Sequence, residues 1–163
     1  MKPKSRRKQK GRSEGGSFTS IPHAVQDSVN WHRCSGTAIK LLCDLARQFN
    51  GKNNGDLCAA LSVLKRRGWN SGDVLTNGLR ELRHYGFLVL TRQGGLHRAS
   101  LYALGWKAID DCGGKLDVPA TNIAPGGWKQ ARDPFVRPRK KTPDRHPVQT
   151  CTAIRFNRPE QTP

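Results

Sequence analysis

The chain has 163 residues, and its 29 Lys and Arg against 12 Asp and Glu give it a formal net charge of +17. No apolar run approaches the roughly 20 residues of a membrane-spanning helix, and no apolar segment follows the basic N-terminus, which argues against membrane insertion and secretion. The strong positive charge indicates a polyanionic partner.

Charge and proline content divide the chain into three parts. Residues 1–16 hold seven Lys/Arg against one acid, residues 17–111 hold twelve against seven, and residues 112–163 hold ten against four. Apolar residues at regular spacing are confined to the middle part, which predicts one domain over residues 17–111. The basic arm 1–16 has too little apolar surface to fold. The repeated prolines of 112–163 favour a largely disordered arm, with Trp128 or Phe135 as a candidate docking residue.

The first half of the predicted domain is helical. Pro22 is expected to open a short helical turn, with Val29 and Trp31 as anchors on the core. Ser35 can cap a strong helix, which the turn-forming run 50–55 would end. A second helix is predicted from Leu57 to Lys65 by the spacing of its leucines. The inward stripe of the strong helix consists of Ala38, Leu41, Leu42, Leu45, Ala46 and Phe49.

A third helix is predicted from about Ser71 to Tyr85, followed by a hairpin. Asn70 or Ser71 can cap this helix, and its inward face consists of Leu75, Gly78, Leu79 and Leu82. Gly86 favours a helix stop, after which residues 87–91 and 100–106 are expected to be strands around a loop from about Arg92 to Arg98. Leu101 and Ala103 would lie on one side of the returning strand, and Tyr102 and Leu104 on the other. The fold class is therefore mainly α with a small β-hairpin, in the order of a winged helix-turn-helix.

The outward face of the third helix consists of Asp73, Thr76, Asn77, Arg80 and His84. Asn and Arg side chains of this kind reach base edges and phosphates in DNA, whereas the simpler interpretation is a solvated helix face. Asp73 would repel phosphate, so its expected role is to pair with the positive end of the helix or to accept from a cytosine amine.

Basic residues flank this helix on both sides. Lys65, Arg66 and Arg67 precede it and can grip the DNA backbone, although cations also favour the C-terminal end of any helix. Arg92 and Arg98 flank the hairpin loop, where they either enter a minor groove or only keep the hairpin soluble. The candidate DNA-binding residues are Lys65, Arg66, Arg67, Asn70, Ser71, Thr76, Asn77, Arg80, Arg92 and Arg98.

No pattern points to catalysis, a metal or a cofactor. His32 and Cys34 are the closest His and Cys, but no second pair at zinc-ligand spacing accompanies them. No phosphate-binding glycine loop and no local nucleophile signature occur. The five cysteines form no regular set, and Cys43 and Cys58 are expected to be buried thiols of a reducing cytoplasm.

Residues from about Phe18 to Asp111 resemble bacterial helix-turn-helix proteins of phages, plasmids and integrated elements, some of which resemble the winged-helix domains of replication initiators. The likeness is carried by the leucine helix and by the segments Ile21-Pro22-His23, Asp27-Ser28, Trp31, Asn50 to Asp56 and Gly86 to Tyr102. It implies a fold and a genomic setting, and no functional residue is carried over from it. From the helix face, the wing and the charge we expect a cytoplasmic, nucleoid-associated protein that binds duplex DNA.

The expected function is transcriptional control in a mobile element, with replication initiation as the second candidate. A general RNA-binding or nucleoprotein packing component is the alternative from another class. A homodimer and a protein partner for the C-terminal arm are left open.

Overall fold

The computed structural model describes residues 18–138. Over these residues it shows five α-helices and one three-stranded antiparallel sheet, which confirms a mainly helical fold with a small β component. None of the described helices has the length and apolar character to cross a membrane. The helices are α1 (His23–Gln26), α2 (Val29–Arg33), α3 (Gly36–Ala46), α4 (Leu61–Leu64) and α5 (Gly72–His84), and the strands are β1 (Leu57–Cys58), β2 (Leu88–Arg92) and β3 (Leu101–Leu104).

Helix α3 is the predicted leucine helix. Its cap is Ser35, whose Oγ accepts from the backbone N of Ala38 at 3.2 Å and so satisfies one of the free donors of the first turn. The predicted stripe faces the core and is fully buried as far as Ala46, while Phe49, beyond the end of the helix, is half-buried. The capping and the apolar spacing together account for this helix.

The lead-in differs from expectation at its second helix. Pro22 precedes α1 as predicted, and Trp31 packs its ring edge-on against Phe87 with 5.9 Å between ring centroids. The expectation that Val29 anchors the core is wrong, because its side chain is 51% exposed. The neighbouring Asn30 is buried in its place, because hydrogen bonds to the distant C-terminal segment satisfy its amide.

The predicted helix over residues 57–65 is confirmed only in its second part. Its first part is strand β1, and only Leu61–Leu64 is α-helical. The side chain of Gln48 fixes this strand by donating to the carbonyl of Cys58 and accepting from its backbone N, both at 2.9 Å. Strand β1 also pairs with β3, where Leu57 lies opposite Tyr102. These partners are distant in sequence, so leucine spacing alone could not reveal them.

The sheet has the order β1-β3-β2, and α5 packs between it and α3. Strands β2 and β3 form the predicted hairpin, with Leu88 opposite Leu104 and Leu90 opposite Tyr102. Gly78 allows α5 to approach α3 closely, because a Cβ added there would lie 3.0 Å from Cδ2 of Leu41. The core is therefore shared by the two longest helices and one face of the sheet.

Both faces of β3 are covered. All four of its residues are buried, although only Tyr102 and Leu104 belong to the main core. The chain after β3 returns along the sheet: the backbone N of Asp117 donates to the carbonyl of Thr91 at 2.8 Å, and that of Gly126 to the carbonyl of Gly105 at 2.9 Å. The exposed face typical of an antiparallel sheet is thus absent from this strand.

The packed chain extends beyond residue 111, where the domain was expected to end. Trp128 and Phe135 both pack against the core, as their candidate docking role predicted. The segment contains little regular structure. Hydrogen bonds to the side chains of Asn30 and Tyr85 help to hold it in place. Proline content indicates that this segment lacks helix and strand, but it does not indicate that the segment docks on the core. The basic arm 1–16 and the part of the C-terminal arm after Pro138 lie outside the described residues.

The two cysteines expected in the core are placed differently. Cys43 is exposed on α3, and Cys58 is a half-buried residue of β1. Cys43 follows Leu42 by one residue, and a step of one residue rotates a side chain by about 100° around a helix, away from the buried stripe. The expectation of a buried Cys43 is therefore wrong.

Candidate nucleic-acid interface

The candidate interface begins with the outward face of α5. Ser71 caps the helix by accepting from the backbone N of Val74 at 3.4 Å. Because Leu75, Gly78 and Leu82 are buried, the opposite face points to solvent. Asp73, Thr76 and Arg80 are exposed on that face, and Asn77 is half-buried. The structure therefore brings these four side chains together, as the sequence predicted.

At its C-terminal end, the outward face of α5 contacts the C-terminal segment of the chain. Nε2 of His84 lies 2.8 Å from the carbonyl O of Asp133, and its ring contacts that of Phe135 with centroids 5.6 Å apart. The hydroxyl of Tyr85 accepts from the backbone N of Phe135 at 2.9 Å. His84, which the sequence placed with the outward residues, therefore holds the C-terminal segment.

An arginine that the sequence analysis did not select joins the interface. Arg83 is exposed and, together with Arg80, lines an open groove of about 640 Å³ that runs past β2. Arg132 lies on the far side of this groove, and no Asp or Glu is among its lining residues. Arg83 follows Arg80 by three residues, so helical spacing could have indicated it. No sequence pattern indicated Arg132, because only the tertiary fold brings its segment to this groove.

A second groove, of about 390 Å³, lies between α5 and the start of β3. Its polar wall includes Thr76 and Arg80 from the helix, and its opposite wall includes Ala99 and Ser100 from the hairpin. The two grooves share Arg80 and Arg83, so these arginines lie between the helix face and the hairpin. Helix and hairpin consequently form one continuous surface.

The two hairpin arginines have different environments. Nη2 of Arg92 donates to the carbonyl of Ala99 at 3.0 Å, and Nη1 reaches the carbonyl of Lys115 at 3.5 Å. Arg98 is exposed, and its backbone forms a bridge to Gly95. Arg92 therefore braces the hairpin from within, whereas Arg98 presents its charge at the end of the hairpin.

The three basic residues of the turn before α5 also have different environments. Lys65 and Arg66 are exposed, whereas Nη1 of Arg67 lies 3.3 Å from a carboxylate oxygen of Asp44. The same carboxylate group accepts from Nε1 of Trp69 at 2.8 Å. Arg67 thus helps to hold the turn against α3. Asn70 is exposed, and Ser71 has its capping role.

Internal contacts engage several carboxylates of the described residues. Glu81 accepts from the backbone N and the Oγ of Ser35 at 2.6 and 2.8 Å. Asp56 pairs with Lys115 at 2.7 Å. Burial tends to raise the pKa of Asp44, but hydrogen bonds from Lys40 and Trp69, together with the charges of Lys40 and Arg67, outweigh burial and lower it. Among the described residues, none of these three acids forms an ion pair with Arg80 or Arg83.

Comparison with known proteins identifies no relative of this chain. No family model, curated protein or solved structure matches it. Within residues 18–138, no three His, Cys, Asp or Glu side chains form a group suited to a metal ion. The arrangement of α5, the hairpin and the arginines around them is therefore the basis on which a function can be inferred.

Proposed function

We propose that the protein binds duplex DNA as a winged helix, with α5 in the major groove and the β2–β3 hairpin as the wing. This proposal is supported by the order of the elements, which is α3, β1, α4, α5, β2, β3. In helix-turn-helix proteins the second of the two paired helices, which corresponds here to α5 after α4, enters the major groove. The observation that carries it is the arginine-lined surface that joins the face of α5 to the hairpin, with no acid in the larger groove.

The side chains of α5 would divide between base and phosphate contacts. Asn77 has the geometry to pair with adenine, and Arg80 to pair with guanine or a phosphate. Arg83 and Arg132 would follow the DNA backbone along the larger groove, because their guanidinium groups suit phosphate oxygens. Lys65 and Arg66 would contact phosphates before the helix. Arg92 is not assigned a DNA contact, because backbone carbonyls already accept its hydrogen bonds.

The biological role we propose is transcriptional control in a mobile element, with replication initiation as the second role. A repeated binding site near an origin would favour initiation, and a site within a promoter would favour regulation. The charge of both arms also supports a packing component that coats nucleic acid without sequence preference, since each neutralised phosphate releases condensed counterions. Binding measurements separate these roles.

The proposal is tested by comparing a preferred duplex, selected from a random pool, with a random duplex. Asn77→Ala and Arg80→Ala should each cost about 1–3 kcal/mol on the preferred duplex and much less on the random one. Arg47→Ala is the matched control, because Arg47 is exposed but belongs to neither α5 nor the hairpin. It should lower both affinities by similar small amounts.

Two results would contradict the proposal. If both α5 variants keep the full preference for the selected duplex, α5 does not read the sequence, and the packing role takes first place. If single-stranded or A-form RNA binds as tightly as any duplex DNA, the protein is an RNA-binding component.

A further inference from the structure

The tip of the β2–β3 hairpin presents an apolar side chain to solvent. Leu96 is 89% exposed and lies between Gly95 and His97. We propose that Leu96 is a wedge that enters the minor groove and inserts between two base pairs, so that the duplex kinks at that step. This inference rests on the proposed binding of duplex DNA. Leucine is among the apolar side chains that proteins insert between base steps in this way.

The tip is built rigidly. The backbones of Gly95 and Arg98 exchange two hydrogen bonds, of 2.9 and 3.2 Å, which leaves only Leu96 and His97 at the turn. His97 adopts a φ of 61°, the left-handed conformation that lets so short a turn close. A wedge needs such support, because parting two stacked base pairs costs a few kcal/mol and a flexible loop would bend instead.

Two further hydrogen bonds brace the hairpin below the tip. The backbone N of Gly94 donates to Oγ of Ser100 at 2.9 Å, and Arg92 donates to the carbonyl of Ala99 at 3.0 Å. A Cβ on Gly94 would lie 2.6 Å from the backbone N of Ser100, so the two strands are as close as glycine permits. Successive hydrogen bonds near the tip of the hairpin therefore fix the backbone that carries Leu96.

The surroundings of Leu96 suit DNA better than an apolar protein partner. His97 and Arg98 are exposed beside it, and the sequence from Leu82 to Ile109 contains no Asp or Glu. The carboxylate of Asp117 accepts from the backbone N of Gln93 at 2.8 Å, between the end of β2 and the turn that carries Leu96. A leucine next to a cation matches the minor groove, whose negative potential attracts arginine.

Leu96 differs from the other exposed apolar residues in its support. Isolated apolar residues on a surface are common and need no function. Phe18, Ile123 and Val136 are similarly exposed, at 88%, 81% and 82%, but they do not belong to the hairpin. Leu96 alone among these four lies at the end of a hydrogen-bonded hairpin, and that hairpin borders the proposed DNA-binding helix. Ile123 is consequently a suitable control.

The experiment uses the full-length protein and its selected duplex, with 2-aminopurine replacing one adenine at a time and dyes on both ends. Wild-type protein should raise the fluorescence of 2-aminopurine at one step, because unstacking relieves its quenching, and should shorten the distance between the ends. Leu96→Ala should abolish both signals. Leu96→Met should restore them, and Ile123→Ala should leave them as in the wild type. Leu96 is exposed, so thermal unfolding should show equal stability for all variants.

The outcomes distinguish the wedge from the proposed function. If the wild type binds the duplex tightly but unstacks no step, or if Leu96→Ala unstacks it equally well, the wedge is overturned and DNA binding stands. If Leu96→Ala instead turns a dimer into a monomer without changing the fluorescence, the tip is a protein interface and the wedge is again overturned. If the wild type shows no duplex affinity at all, both inferences fall together.

Discussion

The side-chain amide of Asn30 donates a hydrogen bond of 2.9 Å to the carbonyl of Trp128, which lies 98 residues later in the chain. The same amide donates to the carbonyl of Gln130 at 2.7 Å, and its oxygen accepts from the backbone N of Arg132 at 2.9 Å. One buried asparagine in a short helix therefore fixes a segment that has almost no regular structure of its own.

Replacing Asn30 by alanine should release this segment. Two part-buried carbonyls and an N–H would lose their partner, and an unsatisfied group costs up to about 1–3 kcal/mol when buried, so we expect a total of about 3 kcal/mol of unfolding free energy. Limited proteolysis should then cut near residues 128–138 before the rest of the domain. Asn122→Ala is the control, because Asn122 is exposed. Equal protection of the segment in both variants would show that Asn30 does not hold it.

The stability of the fold should depend on the ionisation of Asp44. The folded state lowers the pKa of this carboxyl below its ordinary value of 3.8, so the charged form stabilises the fold at pH values above 3.8. That contribution should be lost as the pH falls through and below 3.8. Asp44→Asn should therefore reduce the urea midpoint at pH 7 and narrow the gap to wild type in acid. The exposed Asp27, changed to Asn, is the control. A constant gap across the pH range would contradict this role.

Two glycines with positive φ should respond differently to alanine. Gly86 has a φ of 74°, and a Cβ there would lie 2.7 Å from the backbone N of Trp128. Gly68 has a φ of 85°, but a Cβ there would meet nothing within 4 Å. Gly68→Ala should cost about 1–2 kcal/mol of unfolding free energy from backbone strain. Gly86→Ala should cost about 1–3 kcal/mol more, because it also displaces a docked backbone. Similar melting temperatures for the two variants would rule out this close contact.

The thiols should differ in reactivity. Burial, with a smaller effect from the charge of Glu81, raises the pKa of Cys34 to about 12, so little of its reactive thiolate forms. Burial and the charge of Asp44 also raise the pKa of Cys43, but its side chain is exposed and a reagent can reach it. Iodoacetamide should therefore modify Cys43 before Cys34, as peptide mapping by mass spectrometry can show. Faster labelling of Cys34 would mean that its surroundings open readily.

A reducing agent should leave the melting temperature unchanged, because the described cysteines are free thiols.

Deletion of residues 1–16 should weaken binding to every duplex without changing the preferred site. The seven Lys/Arg of this arm would neutralise phosphates, and each lost phosphate contact lowers the slope of log affinity against log salt by about 0.9. A salt titration on selected and random duplexes measures both effects. Asn77→Ala is the contrasting variant, since it should alter the preference and leave the slope nearly unchanged. A changed sequence preference in the deleted protein would show that the arm also reads bases.

Local sequence patterns correctly predict the two long helices and the hairpin. Local patterns specify these elements: Ser35 and Ser71 supply caps, and the buried residues of α3 and α5 repeat at helical spacing. The outward face of α5 followed from the same periodicity, because burial of Leu75 and Leu82 leaves Thr76 and Arg80 on the opposite side. Local propensity and tertiary packing agree in these elements.

Strand β1, the docking of residues after 111 and the partners of individual charges depend instead on contacts that form only in the folded chain. Gln48 and β3 hold β1, and Asn30 holds the C-terminal segment. Arg67 and Arg92 look like free cations in the sequence, yet Asp44 and a backbone carbonyl engage them. Each of these contacts joins residues that are separated in the sequence, or that meet in a geometry that no local sequence pattern indicates. A buried hydrogen bond is favourable only when its partner is in place, and the whole fold determines which partner that is.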